Sequence, residues 1–157
     1  MAYLTVLAHA RRWFTMKVRI RRIDKSLPLP EYHSEGAAGF DFYCRETVSV
    51  EPKSLAMVPL NIALEPPEGH MLLLASRSST PKRGIMIANG IGIGDRDFAG
   101  NNDEYRALVY NYTDKPVTVA RGDRIAQGIF LRCDRVEWEE VDDLGTPDRG
   151  GFGSTGA

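Results

Sequence analysis

Cysteine is scarce in this chain. Its 157 residues hold two, Cys44 and Cys133, without a C-x-x-C spacing. That argues against a cysteine zinc site or a disulfide framework. It leaves both as small apolar residues in strands, with a reducing cytoplasm as the expected compartment. A charge excess is also missing, since 20 Lys and Arg stand against 21 Asp and Glu, for a formal net charge of −1. General binders of nucleic acid or membrane surfaces carry a basic excess, so neither partner is expected, though a local basic cluster would still serve a polyanionic ligand. No apolar run is long enough to cross a bilayer. Helical periodicity is rare, no internal repeat occurs, and no G-x-x-x-x-G-K-[ST] phosphate loop is present.

What is present is a series of short apolar runs divided by Gly and Pro. The length suits one domain. Residues 1–15 stand apart. Arg11 and Arg12 follow the apolar stretch rather than precede it, the wrong order for a secretory signal, so this segment is read as an extension the fold does not use. Residues 17–20 begin a first strand, with Val18 and Ile20 on one face and Arg19 and Arg21 on the other. Leu27-Pro28-Leu29-Pro30 interrupts it. Further strands are expected at 40–43, 48–50, 55–64, 71–75, 107–110, 117–119 and 125–130, and a last charged strand carries Trp138 to Val141. This pattern predicts an all-β sandwich or barrel.

Three segments draw attention for chemistry. In Asn89-Gly90-Ile91-Gly92-Ile93-Gly94-Asp95-Arg96-Asp97-Phe98, glycines alternate with isoleucines. Side chains two apart on a strand share a face, so Asp95 and Asp97 are expected to project together, and the glycines to let a flat polar ring approach the backbone. The plainer reading is a tight hairpin with solvated acids. In Arg77-Ser78-Ser79-Thr80-Pro81-Lys82-Arg83-Gly84, Thr80 would cap a short helical turn with Pro81 at its first position and Gly84 at its end. Its free N–H groups, with Arg77 and the serine hydroxyls, would suit an anion. The alternative is a loop capped for its own stability. The tail from Arg149 to Ala157 holds four glycines, Phe152, Ser154 and Thr155. It is too sparse to stay ordered alone, but Phe152 would fold over a flat ligand while Gly153, Ser154 and Thr155 wrap phosphate oxygens. Asn101-Asn102-Asp103-Glu104 reads as a surface loop, Asp41 as a turn-capping carboxylate, and Gln127 as an edge residue bonded to backbone.

Five segments, in order, resemble the motifs of the trimeric deoxyuridine triphosphatase (dUTPase) family over residues 16–156: Ala38-Gly39-Phe40-Asp41-Phe42, Arg77-Ser78-Ser79, Asn89 through Gly100, Gly122-Asp123-Arg124-Ile125-Ala126-Gln127, and Gly151-Phe152-Gly153-Ser154-Thr155-Gly156. The resemblance implies a distorted jelly-roll or β-clip barrel, residues 16–145, that assembles as a homotrimer with sites at subunit boundaries. Residues 146–157 would close over each site. The implied reaction is dUTP and water to dUMP and pyrophosphate with Mg²⁺, supplying dUMP and keeping uracil out of DNA. Asp95 would activate the water that attacks the α-phosphorus. Asn89, Gly90 and Gly92 would read uracil, and Phe98, where the family usually has tyrosine, would underlie the deoxyribose. Arg77, Ser78, Ser79, Gln127 and Arg149 would hold the triphosphate, and Asp41 would act around the metal or support the site from behind. Phe152 would stack on uracil, with Gly153, Ser154 and Thr155 on the phosphates.

The chain also departs from the family pattern. Gly94 replaces a usual isoleucine, Ser79 a frequent glycine, a few extra residues lie around Asn101 to Asp103, and Arg149 is closer to Phe152 than the tail arginine of many relatives. A dCTP deaminase of the same fold would want a glutamate in the third segment, where Asp95-Arg96-Asp97-Phe98 stands. A non-catalytic nucleotide-binding or regulatory protein would have no need of Arg77, Asp95, Gln127 and Phe152 together. Removal of residues 1–15 is expected to leave assembly and activity intact, and a loss of trimer on a sizing column would show that the extension matters.

Overall fold

The computed structural model describes residues 15–151. Residues 1–14 and 152–157, with the readings made of them, lie outside the described residues. The chain folds into strands β1 (Arg19–Arg22), β2 (Phe40–Asp41), β3 (Val48–Val50), β4 (Leu55–Pro59), β5 (Ile62–Glu65), β6 (His70–Ser76), β7 (Ile85–Ile87), β8 (Ile91–Gly94), β9 (Arg106–Asn111), β10 (Val117–Val119) and β11 (Ala126–Arg132). One 3₁₀ turn, Pro81–Arg83, is the helical element among the described residues. No helix among them is long and apolar enough to cross a membrane. The expected all-β class is therefore what the chain adopts.

All pairings are antiparallel. The largest sheet runs β2-β11-β6-β8, a second runs β4-β9-β7, and two-stranded ribbons join β1 with β5 and β3 with β10. Period-two alternation explains the core. Along β9, Ala107, Val109 and Asn111 are buried between less buried neighbours. Phe42, Leu60, Ile62, Leu72, Ile85, Ile125, Val50, Val58, Val109 and Val119 fill the interior between the sheets.

Several elements differ from expectation. The run 55–64 is two strands, because Asn61 takes a left-handed φ of 69°. Asn61 is buried; its side chain accepts from the Asp24 N–H at 2.7 Å and donates to the Asp24 carbonyl at 3.0 Å, which fixes the reversal. The last charged strand does not form. After the Cys133 N–H donates to the Gly69 carbonyl at 2.9 Å the ladder ends, and Trp138 is 89% exposed, with no strand paired to its segment among the described residues. Neither cysteine is in a strand: Cys44 is buried in the connection before β3, and Cys133 lies exposed just past β11.

Glu104 is not a surface-loop residue. Its carboxylate, 6% exposed, takes a bidentate fork from Arg45 at 2.8 and 3.0 Å and accepts the Asn61 N–H at 3.0 Å. One acid thereby ties the β4–β5 reversal to the entry of β9. Glu104→Ala leaves a half-buried guanidinium and a buried N–H without partners, and is expected to cost about 3 kcal/mol, read by chemical denaturation. Burial, with the Asp123 charge adding to it, pushes the Cys44 thiol up to about 12. A thiol reagent at mildly alkaline pH should therefore label Cys133 promptly and Cys44 only when the protein unfolds, as mass spectrometry would show.

Candidate active site

The glycine-rich segment forms β8. Gly92 and Gly94 pair with the buried Leu74 and Leu72 of β6, so the glycines face inward. Ile91 and Ile93 point outward and are 50% and 62% exposed. The strand ends at Gly94, and Arg96 and Asp97 form a turn in which the Phe98 N–H donates to the Asp95 carbonyl at 3.3 Å. Asp95 and Asp97 are thus not a strand pair. Asp95 leaves the sheet exposed, and no hydrogen bond or ion pair among the described residues holds its side chain.

A cleft of about 530 Å³ opens at this end of β8. Asn89, Gly92, Asp95 and Phe98 line it together with Met57, Asn102, Asp103, Tyr105 and Arg106. Asn89 holds its own turn, its side-chain amide donating to the Ile91 carbonyl at 3.1 Å. Gly90 supplies the left-handed residue of that turn, with φ of 72°, and is exposed beside the cleft. Phe98 meets the edge of Tyr105 at 5.3 Å, with ring planes at 85°. Burial, followed by the charges of Asp95 and Asp103, pushes the Tyr105 phenol up to about 12, so it stays protonated at neutral pH.

A second cluster forms where β6, β2 and β11 end. Asp41 is buried and is no turn cap: Arg77 Nε approaches its carboxylate at 2.9 Å, Arg124 Nη1 at 3.3 Å and His33 Nε2 at 3.4 Å. Arg77 also donates to the Arg124 carbonyl at 3.1 Å. Gln127 lies directly opposite Asp41 in the β2–β11 ladder and donates to the Ser76 carbonyl at 3.0 Å. Because β11 lies between β2 and β6, Gln127 is not an edge residue. Ser78 and Ser79 stand exposed on the loop that follows.

Thr80 does not cap the 3₁₀ turn with its side chain; its hydroxyl donates to the Ile125 carbonyl at 2.6 Å. The N–H groups of Thr80, Lys82, Arg83 and Gly84 are all taken by loop carbonyls, so the turn itself offers an anion little. The groups of this loop that could meet an anion are Arg77 and the exposed hydroxyls of Ser78 and Ser79. Arg149 is exposed and belongs to no element.

Both oxygens of Asp41 face cations, a poor donor set for Mg²⁺. Of the two roles the resemblance leaves to Asp41, support of Arg77 and Arg124 matches these surroundings. No group of three His, Cys, Asp or Glu side chains converges among the described residues.

Among the described residues Asp95 and Arg77 stand toward opposite ends of β6. Leu72 lies opposite Gly94, and Arg77 follows the far end of the same strand. Five residues of extended chain separate Leu72 from Arg77, about 16 Å. Sequence reasoning singled out most polar residues of both clusters but missed His33, Arg124 and Tyr105. Arg124 lies inside the Gly122-Asp123-Arg124 turn that was recognised, whereas nothing local marks His33 or Tyr105.

Comparison with known proteins agrees with this geometry. The sequence profile described as dUTPase matches residues 25–156. The chain is similar to the deoxyuridine 5'-triphosphate nucleotidohydrolase of Anaeromyxobacter sp. (strain Fw109-5), with 40% identity over 145 residues, 88% of this chain and 97% of the relative. It is similar to that of Helicobacter pylori (strain P12), with 35% identity over 144 residues, 90% of this chain and 97% of the relative. Among solved structures it resembles the dUTPase of Streptococcus mutans, with a TM-score of 0.69 and 27% identity over 76% of this chain and 98% of that one. With its all-β fold, its cleft beside Asp95 and a profile match over most of its length, the chain belongs to the dUTPase family.

Proposed function

We propose that this protein is a dUTP diphosphatase that hydrolyses the magnesium complex of dUTP to dUMP and pyrophosphate. The observation that carries the reading is the cleft in which Asn89, Gly92, Asp95 and Phe98 meet, with the Asp95 carboxylate free of protein partners among the described residues. An unpaired carboxylate beside a base-sized cleft can orient a water and take its proton. The uracil edge presents acceptor, donor, acceptor, which Asn89 and the backbone of Gly90 and Gly92 can complement. A ring methyl would crowd this turn, and cytosine would leave buried groups unpaired. Phe98 supplies a flat apolar floor for the sugar.

Arg77, Ser78, Ser79 and Gln127 would bind the phosphates, with Asp41 holding Arg77 and Arg124 in place. Such residues act by position and charge rather than as a covalent nucleophile, which suits phosphoryl transfer. Arg149, Phe152, Gly153, Ser154 and Thr155 would complete the site as residues 146–157 close over it. Residues 16–145 would fold as the domain, and 1–15 would be dispensable.

The separation of Asp95 from Arg77 along β6 favours a site shared between chains. The outer face of the β4-β9-β7 sheet favours the same conclusion. Leu55, Tyr110 and Met86 share one row across it and Met57 and Leu108 the next, and Leu55, Met57 and Met86 are exposed. An apolar sheet face of this kind calls for a partner, and a homotrimer would cover it.

A panel of dUTP, dCTP, dTTP and UTP, scored separately for pyrophosphate, phosphate and ammonia, tests the reading. Pyrophosphate from dUTP alone is expected, and ammonia from dCTP would instead indicate a deaminase. Asp95→Asn should lower turnover by about 10²–10⁴-fold while dUTP binding by calorimetry persists. Unchanged turnover would remove Asp95 from its role.

A further inference from the structure

We propose that Tyr105 is a positioning residue for Asp95, acting through Gly94; the inference rests on the hydrolytic reading above. A Cβ built on Gly94 would lie 2.6 Å from Tyr105 Oη, 2.7 Å from Tyr105 Cε1 and 3.0 Å from Leu72 Cβ. The tyrosine ring therefore already fills the volume that a side chain at 94 would need. Tyr105 is 6% exposed, and its hydroxyl has no hydrogen-bond partner among the described residues. The ring, packed against Gly94 and Phe98, acts here through the space it fills.

What that shape does follows from the chain path. Gly94 makes the last ladder pair of β8, and Asp95 leaves the sheet at the next residue. Glycine has the widest backbone freedom of any residue, so a glycine immediately before a water-activating acid would let that acid wander. Packed between Leu72 and the Tyr105 ring, Gly94 loses that freedom. The same ring abuts Phe98, so one side chain braces both the acid and the aromatic floor of the cleft. The bulk that residue 94 lacks is supplied from residue 105, at the entry of β9.

The test compares wild type, Gly94→Ile, Tyr105→Leu, the double variant and Tyr105→Phe in full-length protein, by dUTP turnover and by melting temperature. Each of Gly94→Ile and Tyr105→Leu should lower kcat by about 10²-fold with a smaller effect on KM, the scale expected from misplacing a catalytic group. The double variant returns the bulk to position 94 and should recover kcat to within about tenfold of wild type, a coupling that independent sites do not show. Tyr105→Phe keeps the ring that fills the space beside Gly94 and should lose far less kcat than Tyr105→Leu. The proposal is overturned by a double variant as slow as the slower single, by a loss confined to KM, or by a Tyr105→Phe as slow as Tyr105→Leu. Wild-type protein that fails to hydrolyse dUTP would defeat the functional reading instead. The melting temperatures of the four-way swap still measure the Gly94–Tyr105 coupling in that case, and additive shifts would overturn it.

Discussion

The fold is organised by the ladder between β6 and β11, in which seven residue pairs lock from Ala126 opposite Ser76 to Arg132 opposite His70. Period-two geometry makes this register restrictive, since a slip of one residue would turn every buried leucine of β6 to the wrong face. The register also sets the polar chemistry. It places Gln127 within reach of the Ser76 carbonyl and brings Asp41, opposite Gln127, beside the start of the loop that carries Arg77. On its other side β6 fixes β8, and with it the point at which Asp95 leaves the sheet.

Much of this was legible in the sequence because strands announce themselves locally. Alternation at 107–110 and 117–119, and the Pro and Gly breaks between runs, located most strands to within a residue or two. What failed were features decided by distant partners. Trp138 and its neighbours have good strand composition, yet a strand needs a ladder, and the described residues offer none there. Glu104 sits among loop-forming residues and is buried only because Arg45, far away in sequence, comes to meet it. The left-handed Asn61 is a lone polar residue within an apolar run, and the run alone does not show that the chain turns there.

The polar residues of the site were recognisable by type and spacing, but their surroundings were not. Asp41 reads as a turn residue until two arginines and a histidine converge on it from other segments. The glycines of β8 suggest a bare ribbon open to a ligand. In the fold they face Leu72, Leu74 and Tyr105, and Gly94 serves close packing inside the protein rather than access from outside. Sequence shows where a side chain is absent; only the fold shows which neighbour takes the space.

The placement of Asp95 and Arg77 toward opposite ends of β6 has a consequence for how such an enzyme behaves in dilute solution. In the proposed arrangement, with the base-reading half of each site on one chain and the phosphate-reading half on another, assembly and catalysis would follow the same mass-action law. Output per polypeptide would then rise with protein concentration until every subunit had found its neighbours. Cells making too little of the chain would lose more than a proportional share of its output.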